Sequence, residues 1–188
     1  MRINAGNLKK GEFVFYQGDI WQVQKAEFYS PGKGSALMKA RLKNINSGKN
    51  VDSTYKSNEQ IETLEVQSVE MQYLYKDNES LYFMDERTYN QCAIPRLTAG
   101  DVSQFLKEGE KVFVYMHEDK PLNIRPPMSV ILKVAATEDA IKGDTMTGAK
   151  KPATLETGVT VLVPLFVKAG ELIKVNPETG QYTDRVKG

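Results

Sequence analysis

Short runs of alternating apolar and polar residues dominate the first third of the chain, and they predict antiparallel β-structure. Residues 13–16 and 20–24 form two such runs around a Gln-Gly-Asp turn, which is typical of a hairpin. A third run, 25–29, leads into a Pro-Gly turn and a return strand. About five short strands in about 60 residues is the size of an SH3-like barrel.

The turn after residue 29 is the feature on which we focus. Pro31 fixes φ at the first corner, and Gly32 and Gly34 permit positive φ around it. Lys33 lies between the two glycines. We therefore expect the Lys33 ammonium at the tip of a hairpin, far from the core.

The return strand alternates clearly, so its two faces are predicted to differ. One face carries Ala36, Met38, Ala40 and Leu42, and the other carries Leu37, Lys39, Arg41 and Lys43. The second face predicts a basic stripe of Lys39, Arg41 and Lys43 below Lys33. A basic strand face is also common in proteins that bind no polyanion.

The middle third is predicted to be mainly β as well, with one helix. Strands are expected at 66–75, 80–84, 111–116 and 123–124. The helix is expected from Asp101 to Lys107, capped by Asp101 and stopped by Gly109. Strands interrupted by one short helix fit a small barrel of the OB type.

Pro126-Pro127 breaks the pattern, and we place a boundary there. The last third predicts strands at 130–134, 159–167, 171–175 and 181–186, with a turn-rich loop at 142–152. The last two thirds could be two copies of one barrel type. The predicted domains are therefore 1–64, 65–128 and 129–188.

The composition is that of a folded protein, with 40% hydrophobic and 26% charged residues among 188. The net charge is +1, but it is unevenly distributed. The first 64 residues hold 10 Lys/Arg against 6 Asp/Glu, and the next 64 hold 7 against 11. The first third could therefore face a polyanion while the middle stays acidic.

Single cysteine and histidine residues limit the chemistry that the chain can carry. Cys92 is the only cysteine and His117 the only histidine, so neither an intramolecular disulfide nor a multi-histidine metal site is expected. The N-terminus has no apolar signal core, and no 18-residue apolar run exists. We expect a cytoplasmic protein with no membrane partner and no cofactor.

No catalytic constellation rises above background in the sequence. Gly32-Lys33-Gly34 does not open a helix and so is not a nucleotide loop. Ser30 and Ser35 have no nearby base, and Asp85-Glu86 is more simply read as a solvated acidic corner. We therefore expect a protein that is not an enzyme.

A glycine-flanked lysine on a long hairpin suits insertion into a narrow anionic cleft, and folded RNA offers such clefts. The alternative is that Lys33 is an ordinary solvated charge on a turn.

Motifs along the whole chain resemble bacterial elongation factor P. They comprise the loop at 30–36, the Pro126-Pro127 junction, and several stretches of the last third: Gly143-Asp144-Thr145, Lys151-Pro152-Ala153-Thr154-Leu155, Glu156-Thr157-Gly158, Val163-Pro164-Leu165-Phe166-Val167, Gly170–Val175 and Gly180-Gln181-Tyr182. The resemblance implies an all-β, L-shaped arrangement of three small barrels, an SH3-like barrel followed by two OB-fold barrels.

The resemblance also implies a translation factor that acts on the ribosome. Such a factor binds both subunits and rRNA beside the peptidyl-tRNA, and it relieves stalling at consecutive prolines. Lys33 would reach the CCA end, extended by a lysine-modifying enzyme through β-lysylation, an aminopentanol group or hydroxylation, or left bare. A monomer is expected.

The family's last domain implies roles for further residues. The loop Gly143, Asp144 and Thr145 would lie near the exit-site codon, and Tyr182 and Arg185 would contact tRNA or rRNA. Core packing for Tyr182 and a solvated charge for Arg185 remain open. Ser30 departs from the family, in which lysine is frequent at that position, and so does the stretch 146–149.

Two further hypotheses stay open at this point. One is a paralogous RNA- or ribosome-binding regulator with no polyproline role. The other is an enzyme built on small barrels, which would need a clustered set of perturbed acids and bases near a pocket.

Overall fold

Antiparallel β-strands build almost the whole chain. A four-stranded sheet with a separate two-stranded pair comes first, and two five-stranded sheets follow it along the sequence. The computed structural model describes residues 1–32, 34–138 and 148–186. The predicted all-β class is confirmed. None of the helices within these ranges is long and apolar enough to cross a membrane.

The N-terminal sheet has the strand order β2-β3-β4-β5, and a separate pair, β1-β6, joins it through a bridge between Val14 and Thr63. Its strands are β1 (Arg2–Asn4), β2 (Phe13–Tyr16), β3 (Asp19–Tyr29), β4 (Leu37–Asn44), β5 (Asn50–Lys56) and β6 (Gln60–Glu62), with a 3-10 turn at Ala5–Asn7. The predicted alternation in β4 is confirmed, because Met38, Ala40 and Leu42 are buried in the core of this sheet.

The middle sheet has five strands in the order β11-β10-β7-β8-β9. The elements are β7 (Gln67–Lys76), β8 (Ser80–Met84), β9 (Gln91–Pro95), the helix α1 (Arg96–Ala99), a 3-10 helix (Gly100–Gln104), β10 (Lys111–His117) and β11 (Lys120–Arg125). The helical segment follows the third strand of this part and packs on its core through Ala99, Val102 and Leu106.

The C-terminal sheet has five strands in the order β14-β13-β12-β15-β16. They are β12 (Val130–Thr137), β13 (Lys150–Leu155), β14 (Thr160–Pro164), β15 (Leu172–Asn176) and β16 (Gln181–Arg185). Alternate residues of β12, namely Val130, Leu132 and Val134, are buried in its core.

The middle and C-terminal sheets share one topology. In both, the first strand is central, the second and third lie on one side of it, and the fourth and fifth lie on the other. The outermost strands contact each other, β9 with β11 and β14 with β16, so each sheet curls towards a barrel. This agrees with the expectation that the last two thirds repeat one barrel type.

The helix that is predicted from about Asp101 to Lys107 lies several residues earlier in the structure. The α-helical residues are Arg96–Ala99, directly after Pro95, and the chain then tightens into a 3-10 helix that ends at Gln104. The apolar residues that suggested the helix serve two cores, because Val102 and Leu106 pack in the middle sheet whereas Phe105 packs in the C-terminal one.

An apolar cluster joins the N-terminal and middle sheets. Phe13, Ile45, Leu64 and Leu122 are all buried there, from elements of both parts. Beside the cluster, the Asn123 amide donates to Gln22 Oε1 at 2.7 Å, and both side chains are buried. A satisfied buried hydrogen bond next to an apolar contact fixes the relative position of the two elements more narrowly than either alone.

Phe105 joins the middle sheet to the C-terminal one. It is 3% exposed and lies among the core valines and leucines of the C-terminal sheet. One ion pair spans this joint, Lys107 with Glu156 at 3.4 Å, and a second, Lys10 with Glu178 at 3.1 Å, connects the N-terminal part to the C-terminal sheet. Both pairs are solvent-exposed, and such pairs contribute little, so the buried ring carries the contact.

We predict that Phe105→Ala lowers the free energy of unfolding by about 3–5 kcal/mol, because it removes a buried ring and leaves a cavity. Urea unfolding followed by far-ultraviolet circular dichroism measures the change. Phe166→Ala is the matched control, since Phe166 is 57% exposed, and it should cost less than about 1 kcal/mol. Equal small losses for both variants would contradict the assignment of Phe105 to the joint.

Candidate functional site

The hairpin of β3 and β4 holds the predicted tip. Tyr29 pairs with Leu37, so residues 30–36 form the connecting loop. Strand β3 is 11 residues long, and its pairing with β4 shifts between Val23 and Lys25, which marks a bulge. A bulge increases local twist and redirects the strand beyond it. Lys33 lies at the centre of the loop and outside the described residues.

The two tip glycines differ in backbone conformation. Gly34 has φ of +111°, in the region that disfavours residues with a Cβ. Gly32 is not among the residues with positive φ, so of the two glycines only Gly34 uses the conformational freedom that glycine provides. Among the described residues space is not the constraint, because a Cβ at Gly32 would meet none of them within 4 Å and one at Gly34 only Pro31 Cγ at 3.9 Å.

One face of the hairpin points away from the core, and we call it the outer face. Paired residues on neighbouring strands share a face, so the register defines its members. They are Lys25, Glu27 and Tyr29 of β3, Leu37, Lys39, Arg41 and Lys43 of β4, and Asp52, Thr54 and Lys56 of β5.

Carboxylates on the outer face neutralise part of the predicted basic stripe. The Arg41 guanidinium donates to both oxygens of Asp52, at 2.8 and 2.9 Å. This pair raises the pKa of Arg41 and lowers the pKa of the Asp52 carboxyl. Similarly, Lys25 lies 2.7 Å from Glu27 and lowers the pKa of that carboxyl.

Lys43 takes part in the contact between the N-terminal and middle sheets. Its ammonium donates to the carbonyl of Thr98 at 2.9 Å, and Thr98 in turn donates its hydroxyl to the carbonyl of Ile45. Burial lowers the pKa of Lys43, and the nearby Asp101 partly offsets that effect. Lys43 therefore sits at the base of the hairpin in a structural contact, and its predicted RNA contact stays a prediction.

Lys39 is the exposed member of the predicted stripe that has no carboxylate within 4 Å in the ranges that the structure covers. Its ammonium lies 5.4 Å from the centroid of the Tyr29 ring, a cation–π contact. Sequence reasoning named neither Tyr29 nor Asp52 as part of the site. The pairing of 25–29 with 37–43 and of 37–43 with 50–56 would have placed both on the outer face.

Tyr182 and Arg185 lie on β16 in different surroundings. The Tyr182 ring is half-buried against the core of the C-terminal sheet, and burial raises the pKa of its hydroxyl. The Arg185 guanidinium lies 5.5 Å from the Phe166 ring centroid and 3.4 Å from Glu171. The contacts with tRNA or rRNA that are predicted for Tyr182 and Arg185 stay predictions. Gly143, Asp144 and Thr145 lie outside the described residues.

Outside the hairpin, the residues whose side chains could take part in catalysis are buried or interact with neighbouring groups. Burial raises the pKa of the Cys92 thiol to about 11, so it is protonated at neutral pH. His117 Nδ1 lies 2.7 Å from the carbonyl oxygen of Glu65. Asp85 accepts from the amide of Arg87, while Glu86 pairs with Lys111, so these adjacent carboxylates face different partners.

Family profiles match the three parts of the chain in order. They are described as an elongation factor P KOW-like domain at residues 4–61, an elongation factor P OB domain at 66–124 and an elongation factor P C-terminal domain at 130–185. Together with the shared topology of the last two sheets, these matches define a β-barrel translation factor. The predicted barrel types are confirmed.

Individual relatives match over nearly the full length. An elongation factor P from Agathobacter rectalis is 42% identical over 98% of this chain and 100% of its own, and one from Kocuria rhizophila is 41% identical over 97% of each. The chain therefore belongs to the elongation factor P family, and it is a translation elongation factor. A translation initiation factor 5A from Methanococcus jannaschii aligns with a TM-score of 0.48 at 19% identity, covering 66% of this chain and 92% of that one.

We predict that Gly34→Ala and Gly32→Ala differ in their effect on stability. The first forces a Cβ into a left-handed conformation and should cost about 1 kcal/mol of unfolding free energy, whereas the second should cost less than about 0.5 kcal/mol. Urea unfolding followed by Trp21 fluorescence measures both. The assignment of the strained position to Gly34 fails if Gly32→Ala is the more costly of the two.

Proposed function

We propose that this chain binds the ribosome beside the peptidyl-tRNA and promotes peptide-bond formation between consecutive prolines. The observation that carries the proposal is the position of Lys33 in the loop of the β3–β4 hairpin of an elongation factor P family member. The loop connects two paired strands, because Tyr29 of β3 pairs with Leu37 of β4.

The hairpin supports this role because its base is fixed and the described residues next to its tip loop are exposed. At the base, Asn123 bonds Gln22 and Lys43 bonds the Thr98 carbonyl, both at hydrogen-bond distance. Towards the tip, Phe28 and Tyr29 are more than half exposed. A rigid support that carries a free tip can hold a side chain in a defined place on a large partner.

Positioning is the chemistry that this reaction requires. Proline is a ring-constrained secondary amine with restricted backbone geometry, and it is a poor partner for peptide-bond formation. Holding the peptidyl-tRNA end in a reactive geometry can contribute several kcal/mol to a barrier without any acid or base from the factor. A long cationic arm at Lys33 suits that task, because the CCA end is anionic.

A covalent extension of Lys33 would lengthen the arm and add hydrogen-bond donors. We propose that a lysine-modifying enzyme supplies it, by β-lysylation, by an aminopentanol group or with hydroxylation. The lysine itself excludes none of these groups, and a bare Lys33 remains the simplest form.

Further contacts with tRNA or rRNA are assigned to Lys39, Arg41, Lys43, Tyr182 and Arg185. Among the basic residues, Lys39 is proposed as the main contact, because Arg41 is paired with Asp52 and Lys43 with the Thr98 carbonyl. The loop Gly143, Asp144 and Thr145 is proposed to lie near the exit-site codon.

The organisation that we propose has domains at 1–64, 65–128 and 129–188, in a monomer that acts in the cytoplasm without a cofactor. A paralogous RNA-binding regulator is not favoured, because relatives named elongation factor P align along the full chain.

We predict that Lys33→Ala slows synthesis through a run of three prolines by about tenfold, which corresponds to about 1.4 kcal/mol of lost positioning. A reporter with and without the proline run, translated in a system that lacks the native factor, measures the ratio. Lys33→Arg tests whether charge alone is sufficient.

Lys49→Ala is the matched control for this experiment. Lys49 is an exposed lysine at the β4–β5 turn, at the base of the hairpin, and its loss should leave the ratio unchanged. If Lys33→Ala supports the proline run as well as the unaltered chain does, the positioning role of Lys33 is wrong.

A further inference from the structure

Tyr29 is an exposed aromatic residue that the proposed function does not yet use. It is the last residue of β3, next to the tip loop, and it is 52% exposed. Its ring lies on the outer face, where the ammonium of Lys39 approaches it at 5.4 Å from the centroid. A large ring held in place by a cation and left half open to solvent is a preformed stacking surface.

Towards the tip, the outer face carries cations that have no carboxylate partner among the described residues, whereas the unpaired Lys43 at the base donates to the Thr98 carbonyl. Five cations and two carboxylates share this face among the described residues. Both carboxylates pair with cations farther from the tip, Glu27 with Lys25 and Asp52 with Arg41. The lysines nearest to Tyr29, Lys39 and Lys56, have no ion pair within the described ranges.

We propose that Tyr29, Lys39 and Lys56 form a binding site for one nucleotide of single-stranded RNA. The base stacks on the Tyr29 ring, and the adjoining phosphates bind the two lysine ammonium groups. The site lies beside the loop that carries Lys33, so it would hold an unpaired nucleotide of the same RNA that Lys33 reaches. This inference rests on the proposed function.

The chemistry of the three side chains favours a nucleotide over other ligands. A base is planar and stacks on a tyrosine ring, and its phosphate complements unpaired lysines. Lys56 lies across the sheet from Tyr29, since both residues pair with Leu37 from opposite sides. A pocket of about 230 Å³, lined by Lys25, Glu27, Lys39, Arg41, Asp52 and Thr54, continues the site down the outer face.

Tyr75, an exposed tyrosine near the end of β7, offers a contrast together with its neighbour Tyr82. Tyr75 and Tyr82 stack on each other with centroids 4.6 Å apart, and Tyr82 donates its hydroxyl to Asp77 at 2.8 Å. Their rings are already paired, and a carboxylate lies where a phosphate would have to bind. Tyr75, which is 46% exposed, therefore serves as a matched control for Tyr29.

An NMR titration of the full chain, labelled with ¹³C at its tyrosine rings, tests the site directly. The probe is a single-stranded tetranucleotide that ends in CCA, at low salt, with an abasic tetranucleotide of the same charge as reference. We expect the Tyr29 ring protons to shift upfield with the CCA probe and to stay unchanged with the abasic one. We expect the Tyr75 ring protons to respond to neither.

Variants separate the ring from the charges. Tyr29→Ala should weaken probe binding at least about fivefold, the factor that stacking one base on an aromatic ring provides, and Tyr29→Trp should restore it. Lys39→Ala should weaken binding and reduce its salt dependence, because each phosphate contact contributes to the salt slope. Lys49→Ala and Tyr75→Ala, at exposed residues outside this site, should leave the affinity within about twofold.

The proposal is overturned if the unaltered chain does not bind the probe at millimolar concentration, or if Tyr29→Ala and Tyr75→Ala bind equally well. It is also overturned if Tyr29→Trp binds as weakly as Tyr29→Ala. The polyproline reporter is read separately. If the chain supports synthesis through proline runs but does not bind the probe, the proposed function stands and this site is rejected. If the chain binds the probe but does not support synthesis through proline runs, the site stands and the proposed function is rejected.

Discussion

The buried joint between the N-terminal and middle sheets is the constraint on which the site depends. Phe13, Ile45, Leu64 and Leu122 remove apolar surface from water there, and the Asn123–Gln22 hydrogen bond lies buried beside them. A two-stranded hairpin alone is at best marginally stable in water. Anchored at its base in this way, the hairpin can keep its exposed end in one position relative to the remaining sheets.

The same joint explains why the basic residues of β4 are not equivalent. Lys43 lies closest to the joint and uses its ammonium to bind the Thr98 carbonyl. Arg41 lies one row higher and is paired with Asp52. Lys39 lies nearest to the tip, and its ammonium makes a cation–π contact with the Tyr29 ring. The cations of β4 thus interact less strongly with other groups of the fold as the strand approaches the loop. The positive charge without a carboxylate partner therefore lies close to Lys33 in sequence.

This distribution has a consequence for recognition. Unpaired cations bind phosphate without reading sequence, and their number sets nonspecific affinity for RNA. Carboxylates at Glu27 and Asp52 limit that number on the outer face while they hold the hairpin surface in order. A factor that must leave its site after each round benefits from few but well-placed contacts.

Much of the fold follows from the sequence because its strands are governed by local alternation. The burial of Met38, Ala40 and Leu42 in β4 follows directly from a period of two. The helix was misplaced because Val102, Phe105 and Leu106 have helical spacing. In the structure, however, Val102 and Leu106 pack in the core of the middle sheet and Phe105 packs in the core of the C-terminal sheet, and residue spacing alone cannot show that adjacent residues belong to different cores. Strand β13, at Lys150–Leu155, overlaps the end of the loop that is predicted at 142–152, and it contains Pro152, a residue that is uncommon within strands.

The candidate site was predictable in part for a similar reason. Lys33 and the cations of β4 could be named from one strand and its turn. The pairing partners that modify those cations, Tyr29 and Asp52, belong to neighbouring strands, and only the register brings them together. The Lys43 contact with Thr98 joins residues 55 apart in sequence, and no local pattern encodes it.

The most direct test of the account is a cryo-electron microscopy map of this chain bound to a ribosome that is stalled at consecutive prolines. The account predicts density for the β3–β4 hairpin beside the CCA end of the peptidyl-tRNA, with Lys33 as the nearest residue. A bound chain whose hairpin tip points away from that end, while another part of the chain contacts it, would contradict the account.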